Sequence, residues 1–230
     1  MSKLNAPQAD EWPLLATACE MLAFSLRYPT MELAAAVSSG EWADAAWEIS
    51  AALGLALPEV YLEAAAADRG RDAEGLMHDL RIEATHLFIG APDPLVSPYE
   101  GIWRAEDEGV QALQFVNPHS MDVERFCKSC GLGRPEGTNE PLDNAATELE
   151  LLQYLASLEA GIAAPVPAGP APEGLPGGSA AAAFGLFMAE HPLTWMDRFA
   201  SDLVDGARQP FYRATGALLG AFLGRFKAEA

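Results

Sequence analysis

The stretch Asp143–Ala160, DNAATELELLQYLASLEA, sets Leu149, Leu152, Leu155 and Leu158 three residues apart with Tyr154 beside them. That spacing gathers the leucines on one face of a helix. It predicts a helix over 143–160, which Asp143 or Asn144 can cap.

Working outward, helical patterns recur along the chain. From Glu11 to Tyr28 the residues Leu14, Leu15, Ala18, Leu22 and Leu26 return every three or four positions; Pro29 ends this helix, and Thr30 can cap the next. Shorter helices are predicted at 31–38, 41–53 and 58–67, all rich in Ala, Leu and Glu. A longer one runs from Asp72 to Phe88 and ends at Gly90, where glycine would supply a left-handed conformation. Ser120 or Asp122 starts another, through VERFCKSC to Gly131. Residues 161–179, GIAAPVPAGPAPEGLPGGS, are too dense in Pro and Gly to continue a helix. Two helices follow: 180–205, with Phe184, Phe187, Met188, Trp195, Phe199 and Leu203, and 208–227, with Phe211, Leu218, Leu219, Phe222 and Phe226. No segment alternates with period two, so strands are not expected. The predicted fold class is all-α, one helical-bundle domain of roughly ten helices over residues 1–230. Within it, 11–160 form the N-terminal part, 161–179 a Pro/Gly-rich linker and 180–227 the C-terminal helices.

The chain carries 14 Lys and Arg against 33 Asp and Glu, a formal charge of -19. That balance argues against nucleic acid and anionic membranes as partners and favours cationic ligands. No apolar run approaches the roughly 20 residues of a membrane span. The first residues, MSKLNAPQADEW, lack the basic and apolar regions of a secretory signal, so a cytoplasmic location is expected. Three cysteines, Cys19, Cys127 and Cys130, fit a reducing compartment.

Cys127-Lys128-Ser129-Cys130 has C-x-x-C spacing without a second ligand pair. Two ordinary helix-end cysteines are the favoured reading; the alternative, with His119 as the nearest histidine, is a small metal-dependent regulator or enzyme. Serine-nucleophile, phosphate-loop and dinucleotide signatures are absent, so no motif indicates an enzyme. In the 143–160 helix, Glu148 is rotated about 160–200° from Glu150 and lies closer to the leucine face, which makes partial burial of one acid the alternative to a solvated role. Asp143 reads as a cap, and both glutamates as acids favoured by the helix dipole.

Three stretches remain. FIGAPDPLVSPYEGIWR, residues 88–104, combines prolines with Phe, Leu, Val, Tyr, Ile and Trp. Within it, Leu87 to Pro92 form an LF-x-G-x-P element, followed by Ser97-Pro98-Tyr99 and then Trp103. DNAATELEL, residues 143–151, and the triad His191, Trp195 and Phe199 complete the set. In order and separation these stretches resemble the TorD/DmsD family of chaperones that mature molybdenum-containing redox enzymes, and the resemblance runs from about Glu11 to Phe226. One departure is Asn144, where the family has histidine.

The resemblance implies a TorD-like, all-helical cytoplasmic chaperone. It would bind the twin-arginine signal peptide of a molybdopterin oxidoreductase, and the body of that enzyme, until the cofactor is inserted. Carried onto this sequence, the peptide-binding residues are Leu95, Ser97, Pro98, Tyr99, Glu100, Trp103, Asp143, Asn144 and Glu148. Leu95, Tyr99 and Trp103 are the apolar anchors, and Glu100, Asp143 and Glu148 the partners of the arginines. The aromatics have core positions as their alternative. No cofactor or metal of its own is expected, and the chain is read as a monomer or homodimer. A second reading is a NarJ-like assembly chaperone for a redox subunit that is not exported.

Overall fold

The computed structural model describes residues 5–90, 93–110, 117–134, 140–167 and 169–227. Among these the chain forms eleven α-helices and no strand, as the all-α reading requires. They are α1 (Trp12–Leu26), α2 (Met31–Ser39), α3 (Glu41–Ala52), α4 (Glu59–Ala64), α5 (Ala73–Ala84), α6 (Glu100–Glu108), α7 (Pro118–Ser129), α8 (Ala145–Glu159), α9 (Ala180–Glu190), α10 (Pro192–Gly206) and α11 (Pro210–Gly224).

Short polar residues fix five of the eleven helix starts. Thr30 accepts the Leu33 N–H, Asp72 that of Gly75, Asn117 that of His119, Asn144 that of Ala146 and Ser179 that of Ala182. Each satisfies an amide the first helical turn leaves without a partner. Asn144 therefore caps α8, and Asp143 is free for other work; α7 likewise starts at Asn117, before the expected Ser120.

Two boundaries differ from the sequence expectation. The predicted helix 180–205 is two helices, because Pro192 has no N–H to donate and its ring pushes His191 out of helical geometry, to φ -122° and ψ -86°. The proline-rich segment 88–104 is only partly a loop, since α6 begins two residues after Pro98. At the end of α5, one π-helical turn, Thr85–Ile89, closes with the Gly90 N–H on the Thr85 carbonyl at 2.8 Å. Gly90 itself has φ -7° rather than the left-handed conformation expected. Ala91 and Pro92 of the LF-x-G-x-P element lie outside the described residues.

The core is built around two helix pairs, α1 against α8 and α10 against α11, with α9 beside α8 and α4 beside α11. Its buried residues run from Trp12 to Phe226, and Trp195, Tyr61, Tyr212, Phe184, Phe187 and Phe199 are among the largest side chains fully enclosed. Burial of one such side chain contributes about 1.5–3 kcal/mol, so this core outweighs any surface ion pair. The linker 161–179 is largely exposed but tied down: Tyr154 Oη accepts the Val166 N–H at 3.2 Å, and Leu175 is buried.

Candidate functional site

The two longest motifs meet in space. Pro98 to Glu100 lie antiparallel to Asp143 to Ala145: the Glu100 N–H donates to the Asp143 carbonyl at 2.9 Å, and the Ala145 N–H to the Pro98 carbonyl at 2.8 Å. This short strap fixes the start of α6 against the start of α8. Gly101 permits the closeness, since a Cβ there would come within 3.0 Å of Asn117 and Asp143.

Asp143 ties three helices together. One carboxylate oxygen accepts the Gly101 N–H of α6 at 2.9 Å, and the other accepts the Ser120 hydroxyl of α7 at 2.7 Å. Asn117 adds a bond from its amide to the Gly101 carbonyl at 2.7 Å. Beside Gly101 at the start of α6, Glu100 pairs through Oε2 with His191 Nδ1 at 2.8 Å and through Oε1 with Arg104 at 3.3 Å. Glu148 Oε2 accepts the Trp195 indole N–H at 3.2 Å, while Glu148 Oε1 has no partner among the described residues. Burial, and then the neighbouring Glu100 and Asp143, hold the Glu148 carboxyl well above the ordinary range. Burial also raises Asp143, against the hydrogen bonds it accepts from Ser120 and Gly101.

The sequence reading placed Glu100, Asp143 and Glu148 as arginine partners at a surface. All three are buried, with Glu100 and Glu148 fully enclosed. Trp103, expected as an anchor, is only 9% exposed: it packs against Trp195 at 6.4 Å and donates its indole N–H to the Ser97 carbonyl. Pro98 is buried as well. Of the nine expected residues, Leu95 is exposed and Ser97, Tyr99 and Asn144 are half-buried.

A cavity of about 450 Å³ opens between the ends of α1 and α7 and the start of α8. Leu132, Leu142, Leu151 and Tyr154 supply apolar walls. Two acids that the motifs did not single out, Glu140 and Glu150, supply charge, and both are exposed. Glu140 joins the cavity to the strap, lying 3.5 Å from the Tyr99 hydroxyl and 3.3 Å from the Asn144 amide. Glu150 grips Arg27 with both oxygens, at 2.8 and 2.5 Å, and Thr147 accepts a third bond from the same guanidinium at 3.2 Å. Helical spacing alone made Glu150 a solvated acid; its distant partner Arg27 was not visible there. A larger groove, about 730 Å³ beside α10 and α11, is lined mainly by small residues and holds none of the motif residues.

The metal reading of Cys127, Cys130 and His119 fails on geometry. His119 and the cysteines sit at opposite ends of α7, about 12 Å of helix rise apart, and His119 pairs with Glu108 at 2.7 Å. Burial pushes the Cys127 thiol up to about 12, away from the thiolate character of a reactive redox cysteine. Among the described residues no three His, Cys, Asp or Glu side chains are grouped to hold a metal ion. Nor is any described helix long and apolar enough to cross a membrane.

Comparison with known proteins gives a match to the nitrate reductase delta subunit family over residues 41–201. No curated protein sequence matches the chain.

Proposed function

The chain belongs to the nitrate reductase delta subunit family, whose members are maturation chaperones of molybdoenzymes rather than enzymes, and from that premise we propose that it binds the twin-arginine leader of an exported molybdopterin oxidoreductase. It acts in the cytoplasm and holds the partner until its cofactor is in place. Residues 1–230 serve as one chaperone unit, in keeping with a buried core that runs from Trp12 to Phe226.

The observation that carries the proposal is the grip of Glu150 and Thr147 on Arg27 inside the apolar-walled cavity. Here the chain already seats one guanidinium in bidentate geometry, with Glu140 exposed close by. An incoming arginine exchanges with Arg27 or pairs with Glu140, and the apolar residues that follow it in a leader lie against Leu132, Leu142 and Leu151. Tyr99 and Asn144 border this seat, and Leu95 and Ser97 extend the surface. Buried Glu100, Asp143, Glu148, Pro98 and Trp103 take part by holding the strap in shape.

Titration calorimetry against the leader of the molybdoenzyme encoded nearest the gene, with an Arg-Arg to Lys-Lys peptide as control, tests this. The expected result is binding that weakens several-fold with the lysine peptide, because lysine cannot make the bidentate pair. Glu140→Gln with Glu150→Gln should weaken it between about two- and thirtyfold, since two exposed pairs contribute about 0.2–1 kcal/mol each. One observation favours a second reading: the matched family is described by the delta subunit of nitrate reductase. A NarJ-like chaperone of a non-exported subunit would bind that subunit's terminal peptide regardless of an arginine pair, and equal binding of both peptides would select it.

A further inference from the structure

A different face of the molecule carries a second docking groove. Between α1, α2 and α3 lies a trough of about 410 Å³. Its floor is made of Met21, Phe24, Trp42 and Ile49; Trp42 is buried, whereas the other three remain partly open to solvent although they pack on the core. Large apolar side chains left in that state lose surface to water whenever something covers them.

The rim is acidic. Glu20, Glu32 and Glu41, one from each helix, are exposed along it, and no basic residue lines the trough. Some acids elsewhere on the surface are neutralised in place: Arg27 pairs with Glu150, Arg69 with Asp44, Arg198 with Asp107 and Arg225 with Glu11. Among the described residues Glu20, Glu32 and Glu41 have no such partner.

We infer that this groove docks a basic amphipathic helix of a partner protein, its apolar stripe on Met21, Phe24 and Ile49 and its lysines or arginines against the three glutamates. An apolar trough edged by acids can receive the apolar face of a basic amphipathic helix by its i, i+3, i+4 and i+7 positions. The floor provides affinity and the rim provides orientation and speed of encounter. A second copy of this chain is a poor occupant, because it would bring 33 more acids and only 14 basic residues to an already acidic rim. The groove is formed by α1, α2 and α3, so it goes beyond the leader-binding proposal, which concerns the cavity beside α8.

The test uses a fluorescein-labelled 14-residue Leu/Lys amphipathic peptide and the full chain, read by anisotropy. Ala45→Trp fills the trough from an exposed position on α3 without altering charge or core. It should raise Kd at least tenfold while leaving the melting temperature unchanged. The triple change Glu20→Gln, Glu32→Gln and Glu41→Gln should do the same, whereas Glu63→Gln, Glu173→Gln and Glu190→Gln, also exposed, should stay within twofold of wild type. Equal losses in the two triples, or unchanged binding by Ala45→Trp, would mean a diffuse charge effect and overturn the proposal. Sedimentation showing a wild-type dimer that Ala45→Trp dissociates would overturn it in favour of self-association.

Discussion

Glu148 is an acid whose surroundings disfavour its charged form, and this has a consequence for pH. Its folded pKa lies above the ordinary 4.5, first through burial and then through Glu100 and Asp143. The folded chain therefore holds a proton that the unfolded chain releases above about 4.5, and stability falls as pH rises from there toward the folded value. For one proton the slope is at most about 1.4 kcal/mol per pH unit. Asp143 is shifted in the same direction and remains in any Glu148 variant, so the difference between variant and wild type isolates Glu148. Glu148→Gln should gain stability on wild type as pH rises above about 4.5, measured by urea unfolding; parallel curves would show that the Glu148 carboxyl is not shifted in the fold. The sequence placed Glu148 nearer the leucine face than Glu150 but did not reveal its full burial. Leucines at 149, 151, 152 and 155 wrap most of α8, so periodicity could not say that Glu148 was enclosed. That depended on Trp195, 47 residues away, donating to Glu148.

Among the elements, α6 is the one whose position rests most on polar contacts. It is a short, strongly charged helix joined to α8 by the strap, to α7 through Asn117, and to the α9–α10 break through the Glu100–His191 pair. Removing one partner of a buried pair leaves the other uncompensated, at a cost of about 3–5 kcal/mol. Glu100→Ala should lose about that much in urea unfolding, and Glu100→Gln, which can still accept from the imidazole, clearly less. Equal losses would point to packing instead of the pair. Helices α1 to α5, α8 and α11 were legible because each buries a periodic apolar face or has a cap or proline at its start. Helix α6 was hidden because three prolines precede it and its first glutamate is buried by α10, a contact no local pattern encodes. The break at His191 was legible in Pro192, but the apolar period continues through it from Phe187 to Trp195 and masked it.

At the scale of the whole molecule, the charge of -19 is not relieved locally. Most basic side chains are already committed to ion pairs, such as Arg71 with both Asp68 and Asp79, and Lys227 with Asp197. A cationic peptide approaching either the cavity or the α1–α3 groove thus meets an attractive field over many ångströms, and the field acts on encounter before any contact forms. Raising ionic strength from about 0.05 to 0.5 M shortens the screening length to less than half, below the distance over which that guidance works. Held partners feel little of this, because apolar walls and a bidentate pair act at contact distance. Stopped-flow measurement with the leader peptide should therefore show the association rate falling roughly tenfold over that range while the dissociation rate changes less than about threefold. If the dissociation rate took most of the salt dependence instead, charge would be holding the complex together, and Leu132, Leu142 and Leu151 would not be the surface on which the peptide rests.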